Sequence, residues 1–276
     1  MASVKAYYIN LDSRPDRRAF MEKQLAALQL SATRIPAIDV VQALKMATPA
    51  ARSALGKHTI SPGELACNAS HMAAWQEAFK DGADAAFILE DDAALGPDLA
   101  TALDCVGPYL ANCHIIRLET RLRTSELSLE PRYQSGPYAL HRFHSFEWGS
   151  AGYLITRSAA QRVMDSGGGD WLIFDRLLYD PARRHWHGLE IVQTVPAPVY
   201  HPGVAGLDGL QHSDLAKGRK DRKSALRTTL TGDIVYNAER FISRWRKQGA
   251  RALRRWRGNT TTQIIPFTGN APDVDP

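Results

Sequence analysis

Two periodicities alternate along this chain, and together they predict its elements. Val4 to Leu11 is an apolar run rich in aromatic and β-branched residues and reads as a first strand. Ser13-Arg14-Pro15-Asp16 then opens a helix, with Ser13 as N-cap and Pro15 in the first turn. That helix runs to about Leu28 and buries Phe20, Leu25 and Leu28. Thr33 to Ile38 is a second strand, closed by Asp39, so the order predicts a βαβ unit with a parallel pair. Ser61-Pro62-Gly63-Glu64 has the form of a capping box. The helix it opens carries Leu65, Ser70, His71, Trp75 and Phe79, and Asp81-Gly82 ends it.

Further along, Pro97 to Val106 reads as helix and His114 to Leu118 as strand. The polar stretch Glu119 to Pro137 reads as a long loop, and long loops in compact domains are often lids or binding loops. Tyr138 to Phe143 and Ala151 to Thr156 are further strands. Ser158 caps a helix towards Met164, which Gly167-Gly168-Gly169 breaks. A helical Trp171 to Tyr179 and a strand from Leu189 to Val195 complete the body. Strands alternating with helices give an α/β fold class, without internal repeats or low-complexity tracts.

The most informative run is Ala83-Asp84-Ala85-Ala86-Phe87-Ile88-Leu89-Glu90-Asp91-Asp92. It is a buried strand ending in three consecutive carboxylates, and in open α/β sheets ligands bind at such strand ends. Adjacent like charges repel and are tolerable beside a cation or in solvent. Taken alone, the cluster is also what a solvated acidic turn looks like. With strand geometry maintained, Glu90 and Asp92 point to one side and Asp91 to the other.

Charge divides the chain. The formal net charge is +5, yet residues 213–257 hold fourteen Lys/Arg against four Asp/Glu, leaving the remainder mildly acidic. The sequence thus divides into a body over residues 1–212 and a basic helical extension with a polar, disordered tail over 213–276. From Asp233 to Trp256, Ile234, Phe241, Ile242, Trp245, Leu253 and Trp256 fall near one helical face, with arginines and lysines over the rest. Such a helix reads as a membrane-surface element or as one packed on the body with a solvated basic face. No nucleic-acid recognition motif accompanies the charge. Cys67, Cys105 and Cys113 lack metal-ligand spacing and suit a reducing compartment. The N-terminus enters a strand without a signal-peptide core, and no apolar run is long enough to span a bilayer. A cytoplasmic protein, at most peripheral at the inner face of a membrane, is expected.

Four blocks in register carry a family resemblance. Tyr8-Ile9-Asn10-Leu11-Asp12-Ser13-Arg14-Pro15-Asp16-Arg17-Arg18 resembles the INL-x-x-R-x-DR opening of glycosyltransferase family 25. Ser61 to Trp75 resembles its GE-x-G-C-x-x-SH-x-x-x-W block, and Phe87 to Asp92 its ILEDD block. Gly149-Ser150-Ala151-Gly152-Tyr153-Leu154-Ile155 resembles its GT-x-GY-x-I block. The resemblance covers roughly the first two hundred residues. It implies a GT-A-like α/β sandwich that binds a UDP-sugar, with Mn²⁺ or Mg²⁺ held against the diphosphate by the acidic motif.

In that frame Asp92 is the foremost metal ligand, with Glu90 as second ligand and Glu90 or Asp91 at the ribose. Asn10, Arg14 and Arg17 lie where the nucleotide sits, and Arg17 suits a diphosphate because its guanidinium fork matches phosphate oxygens. Asp39 suits uracil or ribose as well as it suits a helix cap. His71 is either a site residue or a packed helical histidine. Inversion at the anomeric carbon needs a base, and Asp175 falls where the family has a P-[IV]-D element. Here Phe174 replaces the aliphatic residue and no proline precedes it. Asp170 is the alternative base or an N-cap, and His201 is a metal neighbour or a surface turn. The implied reaction is inverting transfer of a hexose, with galactose from UDP-galactose foremost, to a glycan or lipid-linked glycan such as lipooligosaccharide. Two other readings compete: an inert glycan- or nucleotide-binding module, and a metal-dependent phosphodiesterase.

Overall fold

The structure is a computed structural model that describes residues 4–80, 82–180, 188–202, 249 and 258–270. Its strands are β1 (Val4–Asn10), β2 (Ala32–Pro36), β3 (Ala85–Glu90), β4 (Ala94–Leu95), β5 (Ile115–Arg117), β6 (Glu119–Thr120) and β7 (Thr124–Ser128). They continue as β8 (Tyr133–Ser135), β9 (Tyr138–Arg142), β10 (Gly152–Thr156), β11 (Ile191–Val195), β12 (Val199–Tyr200) and β13 (Thr260–Ile264). The helices are α1 (Pro15–Ala27), α2 (Val40–Met46), α3 (Pro49–Gly56), α4 (Pro62–Lys80), α5 (Leu99–Val106), α6 (Arg157–Asp165) and α7 (Phe174–Tyr179). Eight strands form one mixed sheet in the order β2-β1-β3-β10-β5-β11-β9-β8.

The expected βαβ unit is present, since β1 runs parallel to β2 on one side and to β3 on the other. All three therefore end at the same edge, with Ile9 beside Glu90 and Asn10 beside Pro36. Helices cover both faces of this sheet. Ala86 and Ile88 of β3 join the core with Trp75 and Phe174, whereas Ala85, Phe87 and Leu89 join that of Met21, Leu25 and Leu99. Burial on both faces explains why the strand reads as a continuous apolar run. The capping box also forms: Glu64 N–H donates to Ser61 Oγ at 3.3 Å, and Ser61 N–H donates back to Glu64 Oε2 at 2.9 Å.

Several expectations are corrected. Arg14, not Ser13, occupies the N-cap of α1, and the buried stripe is Arg17, Met21 and Leu25 at four-residue spacing. Phe20 and Leu28 are only half-buried. Thr156, not Ser158, caps α6, accepting from Ala159 N–H at 3.3 Å. Residues 119–137 are not a loop but contain β6, β7 and β8. The expected disordered tail is likewise corrected over residues 258–270: β13 pairs antiparallel with β7 from Thr260↔Ser128 to Ile264↔Thr124. Three β-branched threonines in succession suit that pairing. The basic helix expected over 233–256 lies outside the described residues, apart from Gly249. Among the described residues, no helix is long and apolar enough to cross a membrane.

Candidate active site

The parallel strand ends gather the sequence-predicted carboxylates. Asn10, at the end of β1, donates Nδ2–H to Asp91 Oδ2 at 2.7 Å and to the Arg14 carbonyl at 3.1 Å. Arg34 of β2 fixes that amide by donating Nε–H to Asn10 Oδ1 at 2.9 Å. Arg17 continues the apolar stripe of α1 into the cluster, where its NH1 lies 3.2 Å from Asp91 Oδ1 and 3.1 Å from Asp92 Oδ2. Arg14 turns towards Asp16, to which it donates at 3.0 and 2.8 Å. Asp39 stands at the exposed start of α2, where its carboxylate accepts from Gln42 N–H at 2.7 Å and Gln42 returns a bond in a full capping box.

Glu90 is held from the other face. His71 Nε2 lies 3.2 Å from Glu90 Oε1, and Ser150 Oγ donates to the same oxygen at 2.7 Å. His71 stacks on Phe174 with ring centroids 3.9 Å apart. Its Nδ1 lies 2.9 Å from the Tyr153 hydroxyl, which accepts from Trp75 Nε1–H at 2.9 Å. Indole nitrogen only donates, so the hydroxyl is satisfied by donating to Nδ1, and the imidazole proton then sits on Nε2 facing Glu90. The order indole, phenol, imidazole, carboxylate fixes Glu90 from the buried side.

The two neighbouring carboxyls are driven apart electrostatically. Burial opposes ionisation of Glu90, but the hydrogen bond and field of His71, with His201 and Ser150, hold its pKa down at about 2. Asp91 is pushed up to about 6, by burial first and by Asp92 second, against the pull of Arg17 and Asn10.

Glu90, Asp92 and His201 each present a ligand atom, and these atoms lie within 4.8 Å of one another. Asp92 Oδ1 is 3.6 Å from His201 Nε2. Asp92 Oδ1 and His201 Nδ1 are buried and have no hydrogen-bond partner among the described residues. Two carboxylates and an imidazole, with orphaned atoms on Asp92 and His201, suit a divalent cation such as Mn²⁺. His201 is held in place by its backbone N–H, which donates to the Thr120 carbonyl at 3.0 Å. Cys67, His71 and Glu90 form a second grouping, but both His71 nitrogens are already engaged.

Behind the cluster lies a polar network that the sequence did not disclose. Arg117 donates to Glu119 Oε1, Gln193 Oε1 and the Trp148 carbonyl, each at 2.7 Å. The other Glu119 oxygen accepts from Ala151 N–H. This contact explains the glycine-rich block: at Gly149, where φ is +96°, a Cβ would lie 1.9 Å from Glu119 Oε1. At Gly152 a Cβ would lie 2.8 Å from the Val199 methyls. Ser150 and Tyr153, in the same block, thereby reach Glu90 directly and through His71.

Asp175 is buried in the first turn of α7. Glu119 feels the charges of Arg117, His201, Glu90 and Asp175 together, so Asp175 shares the electrostatic neighbourhood of the cluster. Asp170 instead accepts from Thr48 Oγ1 at 2.8 Å. It does not cap α7, whose N-cap is Ile173.

Comparison with known proteins agrees with the motif blocks. Residues 3–167 match the family described as glycosyltransferase family 25 (LPS biosynthesis protein). The lacto-N-neotetraose biosynthesis glycosyltransferase LgtE of Neisseria meningitidis serogroup B is 23% identical over 224 residues, 73% of this chain and 75% of that protein. The lipooligosaccharide biosynthesis protein lex-1 of Haemophilus influenzae is 30% identical over 115 residues, 38% of this chain and 37% of that one. A mannose-1-phosphate geranyltransferase structure from Thermus thermophilus covers 71% of this chain at 11% identity, but its TM-score of 0.34 is too low to bear on the fold. With the family match spanning more than half its length and the strand-end cluster in place, this chain belongs to glycosyltransferase family 25 and is a glycosyltransferase.

Proposed function

We propose that the chain transfers a hexose, galactose from UDP-galactose foremost, with inversion to a saccharide acceptor of lipooligosaccharide type. The observation that carries the proposal is the convergence of Glu90, Asp92 and His201 at the strand ends, with unsatisfied atoms on Asp92 and His201. Glu90 and Asp92, joined by His201, would hold Mn²⁺ or Mg²⁺. Such an ion supplies charge neutralisation for a departing diphosphate. Arg17, already between Asp91 and Asp92, offers a guanidinium to phosphate oxygens. Asn10 and Asp91 would bind the nucleoside, and Arg14 would flank it. His71 orients Glu90 rather than acting as a ligand. Asp175 serves as base: it takes the acceptor hydroxyl proton as that oxygen bonds to the anomeric carbon, and the breaking carbon–oxygen bond leaves its electron pair on UDP.

The kind of acceptor is supported by the two relatives, whose names concern lacto-N-neotetraose and lipooligosaccharide biosynthesis. The excess of basic residues over 213–257 gives the chain a means of meeting the anionic membrane surface on which such acceptors are built.

A panel of UDP-sugars, assayed for UDP release with lipooligosaccharide in Mn²⁺ and in EDTA, tests this reading. UDP-galactose should be turned over fastest, EDTA should stop it, and Asp175→Asn should cost ~10²–10⁴-fold while donor binding persists. Full activity in EDTA, or in Asp175→Asn, would remove the metal or the base from the account.

A further inference from the structure

A cleft of about 90 Å³ opens on the β6–β7 side of the sheet, and its chemistry differs from that of the acidic site. Arg121, Arg123, Phe146, Glu147 and Trp148 line it, with Thr120 at its inner end. The Thr120 carbonyl accepts the backbone N–H of His201 at 3.0 Å, which ties one wall of the cleft to the segment that carries the imidazole. We infer that this cleft is an acceptor subsite for a saccharide bearing an anionic group, carboxylate or phosphate, with the sugar face on Trp148 and the anion on Arg121 and Arg123. The inference rests on the glycosyl-transfer reading and adds the charge class of the acceptor.

The aromatic shelf is held from beneath. Trp148 is 39% exposed, while its backbone carbonyl accepts from Arg117 at 2.7 Å. Its ring meets Phe146 edge-on at 4.6 Å, and Arg176 lies over Phe146 at 5.8 Å. An exposed indole fixed on a buried network is a low-entropy surface for a sugar's C–H face.

The cationic side is built as deliberately. Arg121 is half-buried, and neither it nor Arg123 has a hydrogen bond or ion pair among the described residues. Burial pushes the Arg121 pKa down against the pull of Glu119 and Asp175. A partly desolvated guanidinium without a partner favours an anionic ligand over water. Between the two arginines, Leu122 adopts φ +52° and donates its N–H to Thr120 Oγ1 at 3.0 Å. A left-handed non-glycine residue is costly, and here it turns two successive guanidinium-bearing residues into one cleft. Glu147 keeps its negative charge in the cleft, but its carboxylate is turned to Ser125 Oγ at 2.9 Å and to Ser145 Oγ and makes no ion pair with either arginine among the described residues. Arg121 also lies in the field of Asp175, which places the anion-binding end near the proposed base.

The test measures dissociation constants for methyl β-glucuronide, glucose 6-phosphate, neutral methyl β-glucoside and inorganic phosphate with the full chain. Both anionic sugars, or whichever matches the natural acceptor's anion, should bind about tenfold tighter than the glucoside. Arg121→Gln with Arg123→Gln should bring them to the glucoside level without changing UDP affinity or the far-ultraviolet circular dichroism. Trp148→Ala should weaken all the sugars alike. The inference is overturned if the glucoside binds as tightly as its anionic counterparts, or if phosphate matches glucose 6-phosphate and Trp148→Ala changes nothing. It is equally overturned if the double variant loses UDP, since the cleft would then belong to the donor. Charge-selective sugar binding in a protein that never turns over a UDP-sugar would remove the proposed UDP-sugar donor and leave the anionic subsite standing.

Discussion

Two groups of buried carboxylates lie close together in this molecule, and they are built to opposite ends. Glu119 is fully buried, and both its oxygens are occupied, by Arg117 and by the Ala151 amide. Asp92, a short distance away, keeps Oδ1 buried without a hydrogen-bond partner among the described residues. The first carboxylate is finished by its neighbours and stiffens the sheet. The second retains lone pairs aimed at space shared with Glu90 and His201. Burial and charge are common to both, so neither marks a site by itself. Incomplete satisfaction does.

The strongest way to break this comparison is to remove a partner from the finished pair. Arg117→Met should lower stability by about 3–5 kcal/mol, because it strands a buried charge. Pairing it with Glu119→Leu should recover much of that loss, and urea unfolding reads both. The converse holds at the open carboxylate. Asp92→Asn should reduce UDP-sugar turnover by ~10²–10³-fold yet cost far less stability than Arg117→Met, since relief of repulsion with Asp91 offsets the lost pairing with Arg17. A destabilised Asp92→Asn protein with normal turnover would reverse the two assignments.

A third measurement sharpens the contrast within the cluster. Asp91 has its pKa raised from 3.8 to about 6, so between those values the folded chain holds a proton that the unfolded chain has released. Its contribution to stability is therefore full below the lower value and is lost as pH rises through the upper one, by up to about 3 kcal/mol. Glu90, lowered from 4.5 to about 2, has the opposite sign, its contribution being lost only as pH falls below the ordinary range. In EDTA, Asp91→Asn should thus gain on the wild type from pH 4 to about 6 and level off above it. A constant gap would show that Asp91 ionises freely. The smallest effect belongs to Asp39: as an exposed helix cap, its replacement by alanine should cost about 1 kcal/mol and leave the KM for UDP-sugar unchanged.

These contrasts also explain what the sequence could disclose. The strand ending at Glu90, the capping box at Ser61 and the parallel β1–β2 pair were legible because each is written in adjacent residues. Arg17 was half-legible: with Met21 and Leu25 it marks a buried stripe at four-residue steps, but an arginine at the head of one is ambiguous until Asp91, 74 residues away, and its neighbour Asp92 arrive. The Arg117–Glu119 pair was not legible, since charged residues normally signal solvent and their burial depends on Gln193 and Ala151. Residues 119–137 misled for the same reason. The strand Thr124-Ser125-Glu126-Leu127-Ser128 buries Ser125 and Glu126 and is paired by threonines more than 130 positions downstream. No local periodicity carries such information.

The pairing of β13 with β7 has a consequence for how this chain can vary. Ala197 donates its N–H to the Pro266 carbonyl at 2.8 Å and accepts from Thr268 N–H at 3.1 Å, so the polypeptide returns to the place it left. The described residues on either side of positions 203–257 therefore meet in one place. Closing a longer loop between fixed points costs only about 0.6 kcal/mol per doubling of its length. Because its two ends are neighbours, the number of residues between them can vary among descendants of this chain at little cost to the hydrogen bonds Ala197 makes.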